Sequence, residues 1–202
     1  MSKPISLTVL DNGPLKVTCE DLSLQYCGEA IDVEPGQDVY ICRCGESKNA
    51  PLCDGSHAKA GFVAEPPAGD TKPVYVWEGK TIRTFFNPNT CMHVFYCKPL
   101  KELRKRELEG DTSAAAEIAK VVQSCPSGAL TYESTEVQAP SAPARADIEI
   151  MEGGEIRLQR QFEINAAAGE RQDMTRATLC RCGLSKNKPW CDGRHKKRDN
   201  FR

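Results

Sequence analysis

A sixteen-residue segment is written twice in this chain of 202 residues. Residues 42 to 57 (CRCGESKNAPLCDGSH) and 180 to 195 (CRCGLSKNKPWCDGRH) agree at 12 of 16 positions without a gap, an internal repeat at an offset of 138. Each copy holds three cysteines and one histidine, so any fold of this chain must gather a thiol-rich set twice. Upstream of each copy, residues 6 to 18 (SLTVLDNGPLKVT) and 147 to 159 (DIEIMEGGEIRLQ) read as two short alternating strands around a glycine-containing turn. The repeat unit is therefore a β-hairpin followed by the cysteine segment, roughly 60 residues in all, close to the smallest size at which a core sustains a fold.

The cysteine content fixes the chemistry. There are 11, at positions 19, 27, 42, 44, 53, 91, 97, 125, 180, 182 and 191, and no sign of export. In a reducing compartment this density points to metal or redox chemistry rather than to disulfides. The only histidines, His57, His93 and His195, each lie within four residues of a cysteine. With 27 basic and 28 acidic side chains and a net charge of −1, the chain is expected to bind neither nucleic acid nor a membrane surface. No apolar run approaches the roughly 18 to 20 residues of a membrane span, and the first residues are too short in apolar character for a signal peptide, so a cytoplasmic location is expected. No nucleophile elbow, P-loop or dinucleotide fingerprint is present, and an enzyme is not expected.

Cys42, Cys44, Cys53 and His57, and likewise Cys180, Cys182, Cys191 and His195, suit tetrahedral zinc or a [2Fe-2S] cluster. Structural zinc usually takes Cys-x2-4-Cys. The Cys-x-Cys spacing here puts two sulfurs on one side of an extended segment, which suits one iron of a two-iron rhomb; zinc stays open. Cys53 and His57, four apart, converge if the chain makes one helical turn, with Asp54 placed to cap it. Gly45 and Gly183 fit tight turns, Pro51 and Pro189 fix φ, and Gly55 and Gly193 permit close backbone approach. Ser47 and Ser185 read as turn hydroxyls or as donors to cluster sulfides.

The pattern C-x-C-x2-S-x3-P-x-C-D-G-x-H resembles the CDGSH iron-sulfur domain of the NEET proteins. It is complete at 42 to 57 and recurs at 180 to 195 with Arg194 where the family has a small residue. The resemblance implies a [2Fe-2S] cluster held by three Cys and one His at each site. Between the repeats, segment 79 to 133 resembles the divergent monocluster ferredoxin domain in G-K-T-I-x3-F-N, C-x-H-x3-C and the closing CPSGAL. Cys91, Cys97 and Cys125 suit [3Fe-4S], or [4Fe-4S] with an outside ligand for which His93 is the only local imidazole. Val94, Phe95 and Tyr96 replace a small pair beside the expected cluster, and KELRKREL replaces an aromatic Pro-Trp element. A domain that keeps the fold without its cluster is the alternative. The remaining thiols, Cys19 and Cys27, read as buried free cysteines in strands.

The expected architecture is α+β and strand-rich: two small CDGSH domains forming an intramolecular pseudo-dimer, with a divergent ferredoxin-like α+β domain between them. The boundaries expected are 1–66, 73–136 and 147–202, with linkers at 64–73 (AEPPAGDTKP) and 137–146 (VQAPSAPARA). The central part should begin with a hairpin at 74–87, continue with helices around 99–108 and 113–124, the second capped by Asp111 or Thr112, and close with a strand at 129–133. Single-motif NEET domains are homodimers, as the resemblance implies, so two copies on one chain should pair with each other and leave a monomer with a pseudo-two-fold axis. Charges of −5, +1 and +3 on residues 1–65, 66–146 and 147–202 favour that pairing. The expected function is electron transfer; the alternatives are cluster storage, transfer or redox and iron sensing, then a structural zinc protein. The partner is a redox protein or an apo cluster acceptor.

Overall fold

The computed structural model describes residues 3–64, 72–137, 146–165, 175–198 and 201; most of both proline-rich linkers lies outside them. Alternation of apolar residues makes the first hairpin, β1 (Ile5–Val9) and β2 (Leu15–Thr18), with Ile5, Leu7, Leu15 and Val17 buried on one face. β3 (Leu24–Tyr26), β4 (Glu29–Ile31) and β5 (Val39–Ile41) follow, then the motif loop and a one-turn helix α1 (Ser56–Lys59). The central segment is the hairpin β6 (Tyr75–Glu78) and β7 (Arg83–Phe86), two helices α2 (Leu100–Glu109) and α3 (Ala114–Gln123), and β8 (Leu130–Glu133). β9 (Ile148–Ile150) and β10 (Ile156–Leu158) repeat the hairpin, followed by β11 (Phe162–Ile164) and β12 (Ala177–Leu179), and a 3-10 turn, Arg194–Lys197, replaces α1.

The halves do not merely touch; they exchange strands. One sheet runs β11-β1-β2-β5 and another β12-β10-β9-β3-β4. β11 of the second half lies parallel to β1, pairing Phe162 with Ile5 and Ile164 with Leu7, and β3 of the first lies parallel to β9, pairing Leu24 with Ile148. Neither exchanged strand announces itself in the sequence, since each is three residues long. Leu24 and Phe162 supply its one fully buried side chain. The cores therefore fuse: Ile5, Leu7, Val17 and Ile41 pack in one cluster with Ile148, Ile156, Phe162, Leu179 and Trp190. The charge division acts locally across this seam, where Arg160 bonds Asp21 at 2.8 Å and Arg198 pairs with Glu46.

Phe162 is 1% exposed in the exchanged strand, so Phe162→Ala should destabilise the chain by about 3–5 kcal/mol through lost burial and the cavity left behind. Denaturant unfolding measures this, and a change below 1 kcal/mol would mean that the strand does not hold the halves together.

β6, β7 and β8 form the central sheet, with α2 and α3 closing a separate core around Ile82, Leu103, Ile118 and Val122. Two local readings need correction. The cap of α3 is Ser113, not Asp111 or Thr112, because the Asp111 carboxylate is engaged by the Ser113 N–H and hydroxyl at 2.9 and 2.7 Å and by Arg106. Cys19 is buried as expected, but Cys27 is exposed in the β3–β4 turn with φ 53°, and neither lies in a strand. The turn turns Cys27 outward while its N–H bonds the Ile150 carbonyl at 3.0 Å.

The central segment docks on the second repeat. Arg176, just before β12, donates to the Val122, Gln123 and Cys125 carbonyls at 3.0, 2.5 and 3.2 Å, covering the C-terminal end of α3, where a cation is favoured.

Candidate metal centres

Each motif is built on a two-stranded contact. The Cys42 N–H bonds the Pro51 carbonyl at 2.9 Å and the Cys53 N–H bonds Tyr40 at 2.8 Å; in the second copy Cys180 bonds Pro189 at 2.8 Å and Cys191 bonds Thr178 at 3.0 Å. This ladder sets Cys42 and Cys53 on facing antiparallel segments. Cys-x-Cys then brings Cys42 Sγ within 3.5 Å of Cys44 Sγ, and Cys180 Sγ within 3.8 Å of Cys182 Sγ. The turn after each third cysteine brings Nδ1 of His57 and of His195 to 3.4 Å from Cys53 Sγ and Cys191 Sγ. Asp54 organises that turn differently from a cap. The cap position is Gly55 in the left-handed region at φ 85°, while Asp54 accepts the Ser56 and Lys48 N–H groups, both at 2.9 Å, tying the loop across. Those donors hold the Asp54 carboxyl far below the usual range. Ser47 and Ser185 are turn hydroxyls, donating to the Leu52 and Trp190 carbonyls at 2.6 and 2.7 Å.

The donor chemistry fits a cationic metal group. Burial pushes the Cys44 thiol up to about 11 and the Cys191 thiol up to about 12. Cys182 is pushed up because it shares a proton with Cys180, and Cys180 falls to about 6 through the same hydrogen bond. Cys44, Cys182 and Cys191 therefore resist ionisation by themselves, and a bound metal is what turns them into thiolates. Backbone donors are already aimed at the sulfurs: Gly45 N–H at Cys42 (3.3 Å), Glu46 N–H at Cys44 (3.4 Å), Leu184 N–H at Cys182 (3.5 Å) and Gly193 N–H at Cys191 (3.4 Å).

Between the two motifs lies a shared seam that the sequence did not announce. Arg198 donates to the carbonyls of both Cys44 and Cys182, and to Gly45 at 3.2 Å. A Cβ on Gly183 would sit 3.0 Å from the Cys44 carbonyl, so the two loops meet backbone to backbone. The arginine inside each Cys-x-Cys is buried, and burial draws both guanidinium groups below the ordinary arginine range. The field of Cys180 opposes this at Arg43, and those of Tyr26 and Cys42 at Arg181. Arg43 donates to the Gly13 and Leu10 carbonyls at 2.8 and 2.5 Å and Arg181 to the Met151 carbonyl at 3.2 Å, each tying its ligand loop to the hairpin turn of its own repeat. An arginine inside Cys-x-Cys, repeated at the same offset, was the available signal.

The sites differ in shelter. Cys191 and His195 are buried, 3% and 8% exposed, whereas Cys53 and His57 are half-exposed. Arg194, the departure from the motif, is held by Asp192 at 2.8 Å, and Arg198 is committed to the seam, so neither presses its charge freely on His195. Burial is what holds His195 below the usual imidazole range, with Glu155 opposing it.

In the central segment burial pushes the Cys91 thiol up, and the neighbouring Cys125 and Cys97 add to the effect. His93 Nδ1 is 3.8 Å from Cys91 Sγ. The bulky Phe95 and Tyr96 do not fill this space; they are 61% and 55% exposed, because left-handed backbone at His93 and Phe95 (φ 55° and 60°) turns the loop outward. The loop abuts the second motif. A Cβ on Gly193 would lie 2.7 Å from the Met92 carbonyl, and Asn187 Nδ2 donates to the Asn89 carbonyl. A Cβ on Gly55, at the matching place in the first motif, would meet nothing within 4 Å among the described residues.

Residues 12–58 and 147–196 match the family model described as iron-binding zinc finger, CDGSH type. The chain is a CDGSH-domain protein. It carries that domain twice and is an iron-sulfur protein, with residues 77–135 between the copies matching the model of a divergent 4Fe-4S mono-cluster. It is similar to CDGSH iron-sulfur domain-containing protein 2 homolog A of Branchiostoma floridae, 60% identical over 30 residues, 14% of this CDGSH protein and 23% of that relative. No solved structure matches it. Among the described residues no helix is long and apolar enough to cross a membrane.

Proposed function

We propose that this CDGSH protein carries electrons through two [2Fe-2S] clusters, one held by Cys42, Cys44, Cys53 and His57 and the other by Cys180, Cys182, Cys191 and His195. The group supplies one-electron chemistry at each site, at a potential raised by the imidazole ligand. The observation that carries the reading is contiguity. The first and second ligand loops meet at Cys44 and Gly183 under Arg198, and the second meets the central loop at Gly193 and Met92. Storage of separate clusters has no need of such contacts. Electron passage between sites does, and Cys91, Cys97 and Cys125, with His93 beside them, would extend the row with a third cluster, [3Fe-4S] or [4Fe-4S]. Arg43 and Arg181, both buried inside their Cys-x-Cys segments, put a positive charge next to each ligand set. The outside member is a redox protein. Anaerobic purification should give a coloured protein with about four irons from the repeats, and about seven or eight with the central site filled. Stoichiometric zinc would sink the reading.

A second reading, cluster delivery to an apo acceptor, has one observation in its favour: the half-exposed Cys53 and His57. It carries a pH prediction. A protonated imidazole has no lone pair for iron. Burial holds His195 below the usual range, so its proton arrives at lower pH, and the N-terminal site should bleach first on acidification. Visible absorbance of Cys53→Ser and Cys191→Ser proteins during a pH drop measures this; equal bleaching rates would contradict it.

A further inference from the structure

We propose that Glu155 is a positioning residue for His195 that sets the reduction potential of the second CDGSH site apart from that of the first; the proposal rests on the cluster reading above. The four-residue turn aims Nδ1 of His195 at Cys191 Sγ, 3.4 Å away; with Nδ1 given to iron, the proton of a neutral imidazole would sit on Nε2. That atom faces Glu155 Oε2 at 3.6 Å, a few tenths of an ångström beyond a hydrogen bond. Glu155 is 3% exposed and cannot swing away, since its other oxygen accepts from Arg157 Nε at 2.7 Å. Among the described residues Glu155, Cys191 and His195 are the one set of three such donors whose ligand atoms all lie within 4.8 Å of one another. A buried carboxylate behind a metal-binding imidazole fixes the ring and strengthens it as a donor.

The first site lacks the device. Registering β1 and β2 on β9 and β10 places Pro14 where Glu155 stands, and the turn bonds agree, Leu10 N–H to Pro14 and Met151 N–H to Glu155. His57 Nε2 faces that turn at Gly13, 3.9 Å from where its Cβ would be. A stronger donor and a negative charge both favour the oxidised state, so removing the Glu155 charge should make the second site easier to reduce and leave the first unchanged.

The test is a spectroelectrochemical titration of the full-length protein as wild type, Glu155→Gln and Glu155→Asp, with iron measured in each. In Glu155→Gln one wave should rise by about 59 mV or more, a tenfold gain in the reduced-to-oxidised ratio of a one-electron couple. The wave that moves should be the one missing from Cys191→Ser, and Glu155→Asp, which keeps the carboxylate, should stay close to the wild-type potential. If Glu155→Gln loses half its iron while Glu155→Asp keeps it, the charge is what holds the imidazole and the proposal stands. Half lost in both, both waves moving together, or neither moving with iron intact overturns it. A wild type without iron fails the cluster reading itself and is told apart by the metal analysis.

Discussion

Cys191→Ser should leave the chain folded with one repeat cluster fewer, a loss of about two irons, and Cys53→Ser should do the same at the other repeat. The ligand sets are separate, because each pairs its own Cys-x-Cys with its own Cys-x3-His turn, so neither loss is relayed through a shared ligand. The two variants should still differ in consequence. Cys191 is buried, as are Trp190 beside it and His195, and a serine left there without metal is a buried polar group, whereas Cys53 faces solvent in part. Cys191→Ser should therefore also lower thermal stability, by about 1–3 kcal/mol, and Cys53→Ser by less. Cys19→Ser and Cys27→Ser should keep all iron. Iron analysis with thermal unfolding reads all four, and full iron retention in Cys191→Ser would remove that residue from the ligand set.

The second large effect is truncation. A fragment ending at residue 64 keeps β1 to β5 and the first motif but loses β11 from beside β1, the Arg198 seam and the second-repeat half of the core. The remaining unit of about 60 residues buries too little surface to hold alone. It should be unfolded, or should dimerise with itself by offering its β3 to the hairpin of a second copy. The full chain should be a monomer, because its second copy is present at high effective concentration. Light scattering separates these outcomes. A stable monomeric fragment, or a full-length homodimer, would contradict the strand exchange.

What was legible in the sequence was whatever is local. The hairpins at 5–18 and 148–158 follow from alternating apolar residues, and the ligand pairs from spacings of two and four. The two helices follow from periodicity, with α2 at 100–109 and α3 at 114–123. What was not legible depends on residues far apart in the chain. β3 and β11 are strands only because the other half supplies an edge, and three residues carry no period. Phe95 and Tyr96 were read as bulk in the site, but the backbone turns them out. Arg194 and Arg198, close to His195 in the chain, are spent on Asp192 and on the seam, so it is burial first, with the charge of Lys196 adding to it, that holds the imidazole low. Glu155 and Pro14 are aligned only by strand register, since the hairpins and the motifs repeat at different offsets.

The central claim is that the two motifs, whose ligand loops meet at Cys44 and Gly183, each hold a reducible cluster. Reductive titration of the anaerobically purified full chain, followed by visible absorbance and electron paramagnetic resonance, tests it most directly. The account predicts reversible bleaching of the colour, with about one electron taken up by each repeat cluster and signals broadened by magnetic interaction between neighbouring sites. A colourless protein with zinc, or a colour lost irreversibly on the first reduction, would contradict it.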